Sequence, residues 1–130
     1  MKLKSMFLVA GLALAASFKA LAANMPLPES KAVRAILGEA GGTGFKGMLA
    51  VACALRHRGT FHGVYGLNNP VVDRQPAWAW KLARRAWLAS RMQDTVAGAN
   101  FWGNAQDVAK GTFTGMQFTV AVGGNYFFRG

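Results

Sequence analysis

Glu39 is the residue whose position in the sequence is best suited to acid–base chemistry. Apolar residues around it recur at the spacing of one helical face, at Val33, Ile36, Leu37 and Ala40. Gly41 and Gly42 then end the predicted helix, so the carboxyl falls in its last turn, beside unpaired carbonyls and the negative end of the helix dipole. That placement favours the protonated carboxyl, which is the form that a general acid needs. The alternative is a glutamate that is simply solvated at a helix end.

Cys53 and His57 form a second, weaker candidate pair. They are four residues apart, which places both side chains on one face of a helix, as a thiol peptidase could use them. Cys53 lies within an uncharged apolar run, however, where a free cysteine is usually a small buried side chain. His57 and His62 with one carboxylate would be a poor zinc set, because the sequence has no His-x-x-x-His or Cys-x-x-Cys spacing, so we expect no metal and no cofactor.

The order of the predicted elements is helices first and strands last. The uncharged run of residues 48–55 predicts a second helix, residues 45–57, that is buried on all sides. A third helix follows Pro76, with alanines on one face and basic residues on another. Strands are predicted at residues 99–102, 117–122 and 125–128, the last two as a hairpin. This order indicates a single α+β domain of about three helices packed with a C-terminal antiparallel β-hairpin or sheet.

The first 22 residues have the three parts of a secretory signal. Lys2 and Lys4 form a basic start, an apolar stretch rich in Ala and Leu follows, and Ala-Leu-Ala at residues 20–22 is a cleavage pattern. We therefore expect residues 1–22 to be a signal peptide and residues 23–130 to be one domain of a secreted or periplasmic protein of the cell envelope. A signal retained as a membrane anchor is the alternative.

The chain is strongly basic. It has 15 Lys and Arg against 5 Asp and Glu, a formal charge of +10, and loss of Lys2, Lys4 and Lys19 with the signal peptide leaves +7. Such a field attracts anionic polymers, and export makes an envelope polymer a better partner than nucleic acid. We expect a monomer that meets the membrane only through residues 1–22 if they are not cleaved. Cys53 is the single cysteine, so no disulfide can form within the chain.

A Gly-Glu-Ala turn at residues 38–40 is followed by a Gly-x-x-Ala-Val-Ala helix at residues 47–52. These two motifs resemble the cell wall hydrolases of the spore-cortex-lytic (SleB-like) family. The matching segments, which include these two motifs, occur in the family's order at residues 35–42, 45–52, 57–58, 61–65, 83–87, 98–104 and 119–128. The resemblance covers nearly all of the mature chain. It implies a small lysozyme-like domain that cuts the glycan strands of peptidoglycan with Glu39 as its acid.

The sequence departs from the family pattern near the expected site. Residues 41–43 are Gly-Gly-Thr where the family usually has Arg-Gly-Glu, so an accessory polar pair is missing. His57 replaces a usual asparagine, and Phe101 and Tyr126 stand where many members carry histidines. A non-catalytic, basic peptidoglycan-binding module is therefore the alternative to a hydrolase. A peptidase built on Cys53 and His57 is a third reading.

The resemblance also suggests which residues would act on a glycan. Glycoside hydrolysis commonly uses two carboxylates about 5 to 9.5 Å apart, and Asp73, in the predicted loop of residues 60–75, is the candidate second one. Lytic transglycosylases instead use a single acid, which here would be Glu39, and the substrate's own hydroxyl closes an anhydro ring. Asp94 and Asp107 are expected to be solvated in turns. Candidates for sugar binding, which offer hydrogen-bonding groups or apolar rings, are Tyr65, Trp102, Asn104 and Tyr126.

Overall fold

The computed structural model describes residues 26–130, so the predicted signal peptide lies outside the described residues. Three main helices come first: α1 (Glu29–Ala40), α2 (Gly44–Arg58) and α3 (Ala77–Ala89). Two short 3-10 helices, Tyr65–Asn68 and Pro70–Arg74, connect α2 to α3. None of the helices in residues 26–130 is long and apolar enough to cross a membrane.

The C-terminal part adds a small sheet and one short helix. Its elements are β1 (Phe101–Gly103), α4 (Ala105–Ala109), β2 (Gln117–Val122) and β3 (Asn125–Arg129). The strands form one antiparallel sheet in the order β1-β3-β2. Three main helices followed by this sheet confirm the α+β class expected from the sequence.

The centre of the core is α2. Residues 47–55 are all buried, because this stretch has no charged side chain and its small residues let other elements approach closely. α1 and α3 pack on α2 and on each other, and the sheet packs on α2 through residues of β1 and β2. At the end of α2, the Arg56 guanidinium donates to the Trp87 carbonyl at 2.7 Å and stacks on the Trp87 ring, which fixes α3 against α2.

The sheet is held in register by its central strand. β3 pairs on one side with β1, where Trp102 lies opposite Phe127, and on the other with β2, where Val122 lies opposite Asn125. Gly123 and Gly124 both have positive φ, which is why glycines form the two-residue turn of this hairpin. Phe127 points into the core and is fully buried. The sheet therefore has one face on the helices.

Candidate active site

Glu39 reaches an open cleft because α1 and the 3-10 helix Tyr65–Asn68 meet without side chains between them. Gly38 on α1 faces Gly66, and a Cβ added to Gly38 would collide with the Gly66 carbonyl oxygen. A Cβ added to Gly66 would lie 2.7 Å from Glu39 Cγ. Only glycine at both positions permits this approach, so the two glycines set the distance between the helix end and the loop.

The same contact orients the Glu39 carboxyl. The backbone N–H of Gly66 donates to Glu39 Oε1 at 3.0 Å, and the side chain is half-buried. The donor is a neutral amide, which fixes the direction of one oxygen without adding a charge. It leaves the second oxygen, Oε2, for a substrate.

The cleft lies between this helix end and the sheet. Its volume is about 450 Å³, which is within the range of sites that hold small ligands. Besides Glu39, polar groups come from Arg58, Tyr65, Asn104, Asp107, Thr112 and Asn125. Apolar surface comes from Phe101, Trp102, Phe113 and Met116. This mixture of rings and hydrogen-bonding groups around the Glu39 carboxyl suits a sugar chain.

Three of the four predicted sugar-binding residues line the cleft, and the fourth does not. Tyr65 is 85% exposed at its rim, and Trp102 and Asn104 lie on the sheet side. Tyr126 lies on β3 opposite Gly103, with its ring packed 6.3 Å from the ring of Phe118. Its ring lies beside Phe118 instead, and Tyr126 is not among the described residues that line the cleft.

Asp107 is the second carboxylate of the cleft, although the sequence suggested only a solvated turn. Asn104 and Asp107 form a capping box at the start of α4. Asp107 Oδ2 accepts the Asn104 N–H and Asn104 Oδ1 accepts the Asp107 N–H, both at 2.9 Å. The spacing of a capping residue and an acid three positions later is the sequence signal that predicts such a helix start.

Arg58, in the last turn of α2, also lines the cleft. Its Nη2 and Nε donate to the His62 carbonyl at 2.7 and 3.1 Å, and its Nη1 donates to the Asn100 carbonyl at 3.2 Å. Its guanidinium lies 4.5 Å over the Phe101 ring. Arg58 therefore joins the end of α2 to the loop that carries Tyr65 and to β1.

Asp73, the predicted second carboxylate, lies outside the cleft. Both of its oxygens accept hydrogen bonds from Arg34, at 2.7 and 3.0 Å, and the Asp73 side chain is 63% exposed. The Arg34 guanidinium lowers the pKa of the Asp73 carboxyl through these hydrogen bonds. The predicted loop is instead a 3-10 helix here, which turns Asp73 toward α1.

The cysteine and histidine of the alternative peptidase are engaged elsewhere. Cys53 is buried and its thiol donates to the Gln93 carbonyl, whereas His57 Nε2 lies 3.0 Å from Asp94 Oδ2 at the surface. Neither residue lines the cleft. Within residues 26–130, no three His, Cys, Asp or Glu side chains come together as metal ligands would.

The fold and the cleft together define a class: a small α+β domain with a glutamate at the end of its first main helix, facing a cleft walled by a C-terminal sheet. No protein-family model matches the sequence. No curated protein matches it either.

Two solved structures share this fold. The catalytic domain of the Bacillus cereus SleB protein superimposes with a TM-score of 0.60 at 21% identity, covering 82% of this chain and 96% of that one. The catalytic domain of the germination-specific lytic transglycosylase SleB from Bacillus anthracis gives a TM-score of 0.58 at 22% identity, covering 78% and 93%. The chain therefore has the fold of the SleB catalytic domain. At this identity the likeness concerns the fold.

Proposed function

We propose that this protein cleaves the glycan strands of peptidoglycan, with Glu39 as general acid and then general base. The observation that carries the proposal is the Glu39 carboxyl at the wall of the cleft, oriented by the Gly66 N–H and paired with no cation within residues 26–130. The shared fold supports it, because one of the two similar structures is described as a lytic transglycosylase.

The proposed chemistry uses one carboxyl twice. Protonated Glu39 gives its proton to the glycosidic oxygen as the bond from that oxygen to the anomeric carbon breaks. The resulting carboxylate accepts the proton of a hydroxyl of the same sugar as that oxygen attacks the anomeric carbon and closes an anhydro ring. The binding of Asp73 by Arg34 favours this route over a two-carboxylate hydrolysis that uses Asp73. The route needs neither a metal nor a cofactor.

Product analysis of digested sacculi tests the proposal. Purified peptidoglycan is incubated with the chain that starts at Ala23 and with its Glu39→Gln variant, and the released fragments are separated and weighed. We expect anhydro ends from the unmodified protein and almost no release by the variant. Release of fragments at the unmodified rate by Glu39→Gln would show that Glu39 is not the acid.

Asp107→Asn distinguishes ring closure from hydrolysis. Asparagine can still accept the Asn104 N–H, so the start of α4 is kept while the charge is removed. If water is activated by a second carboxylate, Asp107 is the one that lines the cleft, and its loss should abolish release of reducing ends. Near-normal release of anhydro ends by this variant supports the single-carboxyl route.

The same digest separates the other readings. Binding of the protein to sacculi without the appearance of new glycan or peptide ends would identify a non-catalytic binding module. The Gly-Gly-Thr sequence at residues 41–43, which departs from the family pattern, is the reason to consider this alternative. New free amines would identify a peptidase.

We also propose that the protein acts outside the cytoplasm after loss of residues 1–22. The basic start, apolar stretch and Ala-Leu-Ala pattern support this. Mass spectrometry of the protein recovered from the envelope or the medium should give an N-terminus at Ala23. Recovery of intact Met1 in a membrane fraction would show instead that the segment is kept as an anchor.

A further inference from the structure

The outer side of α3 exposes large apolar side chains next to cations. Trp78 and Leu88 are 65% and 37% exposed, and Met92, in the turn after the helix, is 88% exposed. Lys81 and Arg85 are also exposed and follow Trp78 at helical spacing, so they lie on the same side. These five residues are called the α3 outer face below.

Packing within the domain does not use this face. α3 meets α1 and α2 through its opposite side, where the buried residues are Ala79, Ala83, Ala86 and Trp87. Within residues 26–130, Lys81 and Arg85 make no ion pair, whereas the neighbouring Arg84 lies 3.5 Å from the Glu29 carboxylate. Exposed apolar surface beside unpaired charge is typical of a surface that meets a partner.

The chemistry of the face fits an anionic bilayer better than an anionic polymer. Lys81 and Arg85 are attracted by either partner, because both carry negative charge. A sugar ring of such a polymer can stack on Trp78, but Leu88 and Met92 present no ring and gain little from a hydrated polymer. In the headgroup region of a bilayer, by contrast, a helix buries such side chains, and tryptophan is enriched there. The combination of positive charge with large apolar side chains therefore favours an anionic bilayer as the partner of this face.

The position of the face leaves the proposed active site free. The cleft is formed by the end of α1, the loop before α3 and the sheet, and no residue of α3 lines it. Contact between α3 and a bilayer would thus use none of the groups that meet the glycan.

We propose that the α3 outer face docks the protein on bilayers that contain anionic phospholipid, a membrane contact beyond the one expected from the sequence, which was limited to residues 1–22. Lys81 and Arg85 meet the headgroups, and Trp78, Leu88 and Met92 enter the interfacial layer. This binding is separate from glycan cleavage and does not depend on Glu39.

Vesicle binding tests the proposal with the chain that starts at Ala23, since the elements from α1 to β3 pack around one buried core. Vesicles of phosphatidylcholine alone are compared with vesicles that also contain phosphatidylglycerol. We expect binding to the second kind only, weakened by salt, with a blue shift of tryptophan emission that is lost in Trp78→Phe. The double variant Lys81→Gln/Arg85→Gln should weaken binding roughly tenfold or more.

The matched control removes the same charge elsewhere. Lys46 and Lys110 are exposed and lie outside α3, so Lys46→Gln/Lys110→Gln lowers the net charge equally. We expect this control to change affinity by less than about threefold, because screening limits the reach of distant charges. An equal loss in the control, or an unchanged emission shift in Trp78→Phe, would overturn the proposal. Binding to sacculi or polyphosphate but not to vesicles would identify an anionic polymer instead.

Discussion

Glu39 and Asp73 both belong to the contact between α1 and the two 3-10 helices that follow α2, yet their oxygens are used differently. Glu39 accepts one hydrogen bond from a neutral backbone amide, that of Gly66, and faces the cleft. Asp73 accepts two hydrogen bonds from the Arg34 guanidinium and lies at the surface. One carboxylate is oriented, and the other is neutralised by an opposite charge.

The comparison shows why the number of acidic residues is a poor guide to a catalytic pair. A carboxylate bound through both oxygens by an arginine is stabilised as an anion, and neither oxygen is free for a substrate. A carboxylate held through one oxygen by an amide keeps its direction and an open oxygen. Arg34 also donates from Nε to the Leu67 carbonyl at 2.8 Å, so it helps to hold the 3-10 helix that orients Glu39.

The largest expected effect is a difference in cleavage rate between substitution of Glu39 and substitution of Asp73. Glu39→Gln keeps the size and hydrogen-bonding ability of the side chain but removes the proton that Glu39 transfers in the proposed reaction, so the rate of the proposed glycan cleavage should fall roughly 100-fold or more. Asp73→Asn should leave the rate within about twofold, because Asp73 touches no group of the cleft. Rates of fragment release from sacculi measure both. A large loss of cleavage rate in Asp73→Asn would instead show that Asp73 takes part in the reaction.

Much of the fold could be predicted because its signals are local. The uncharged run of α2 indicated a central helix, and residues 47–55 are buried as expected. Gly123 and Gly124 indicated the hairpin that joins β2 and β3. The two 3-10 helices and α4 were not predicted, because five or fewer residues carry too little periodicity to be recognised.

The candidate site was predicted only in part, because its walls come from distant parts of the chain. Glu39, Tyr65, Trp102 and Asn104 were expected at a cleft and line one. Arg58 and Asp107 have local roles at helix ends, which hid their position beside the cleft. Asp73 was misplaced because its partner, Arg34, is 39 residues away in the sequence. No local pattern contains that contact.

The next largest effect is expected for Gly66→Ala, which tests whether the orientation of Glu39 depends on the contact between Gly38 and Gly66. In Gly66→Ala the new Cβ would lie 2.7 Å from Glu39 Cγ and from the backbone of Gly38, so the loop must move away and the Gly66 N–H with it. Cleavage should fall roughly tenfold or more, as expected when a catalytic group is displaced by a fraction of an ångström or more. The Tm should also fall, because Gly66 is buried.

Gly42→Ala is the matched control for that change. Gly42 follows α1 on the same side of the molecule as Glu39, but a Cβ there meets nothing within 4 Å. Cleavage and Tm should both stay close to those of the unmodified protein. If Gly66→Ala behaves in the same way, the Gly38–Gly66 contact is not what orients the acid.

A smaller effect is expected at Asp94, a third carboxylate that is fully engaged. Asp94 Oδ1 accepts the Val96 N–H at 3.0 Å, and Oδ2 accepts the Gly98 N–H at 2.8 Å and contacts His57. Asp94→Asn should lower the free energy of unfolding by about 1 kcal/mol, which is less than the roughly 1.5–3 kcal/mol typical of bonds to a charged group, because the side chain is partly exposed. Cleavage should not change. Urea unfolding and fragment release measure the two outcomes, and lost cleavage at full stability would assign Asp94 to the site.

The pH dependence of that variant has a defined sign. Burial raises the pKa of Asp94, but hydrogen bonds from Val96, His57 and Gly98 outweigh it, and the pKa is lowered overall. A carboxyl whose pKa is lower in the folded state stabilises the fold above its unfolded pKa, about 4, and loses that contribution as the pH falls through its folded value. The difference in unfolding free energy between the protein and Asp94→Asn should therefore shrink at acid pH.

The smallest expected effect concerns the Arg34–Asp73 pair, and it sharpens the comparison with Glu39. Arg34 lowers the pKa of Asp73 by hydrogen bonding, so the pair stabilises the fold above the ordinary carboxyl pKa and loses this as the pH falls through the lowered value. Because both side chains are partly solvated, Asp73→Asn should give only a small fall in Tm at pH 7, and none once the carboxyl is protonated in both the folded and the unfolded state.

Arg34→Gln should lower the Tm more than Asp73→Asn does, since it also removes the hydrogen bond to the Leu67 carbonyl. It should also slow cleavage by loosening the 3-10 helix that orients Glu39. Thermal unfolding from pH 7 down to pH values below the lowered pKa of Asp73, with fragment release at neutral pH, measures each change. Equal cleavage rates in the two variants would show that the hydrogen bond from Arg34 to the Leu67 carbonyl does not help to orient Glu39.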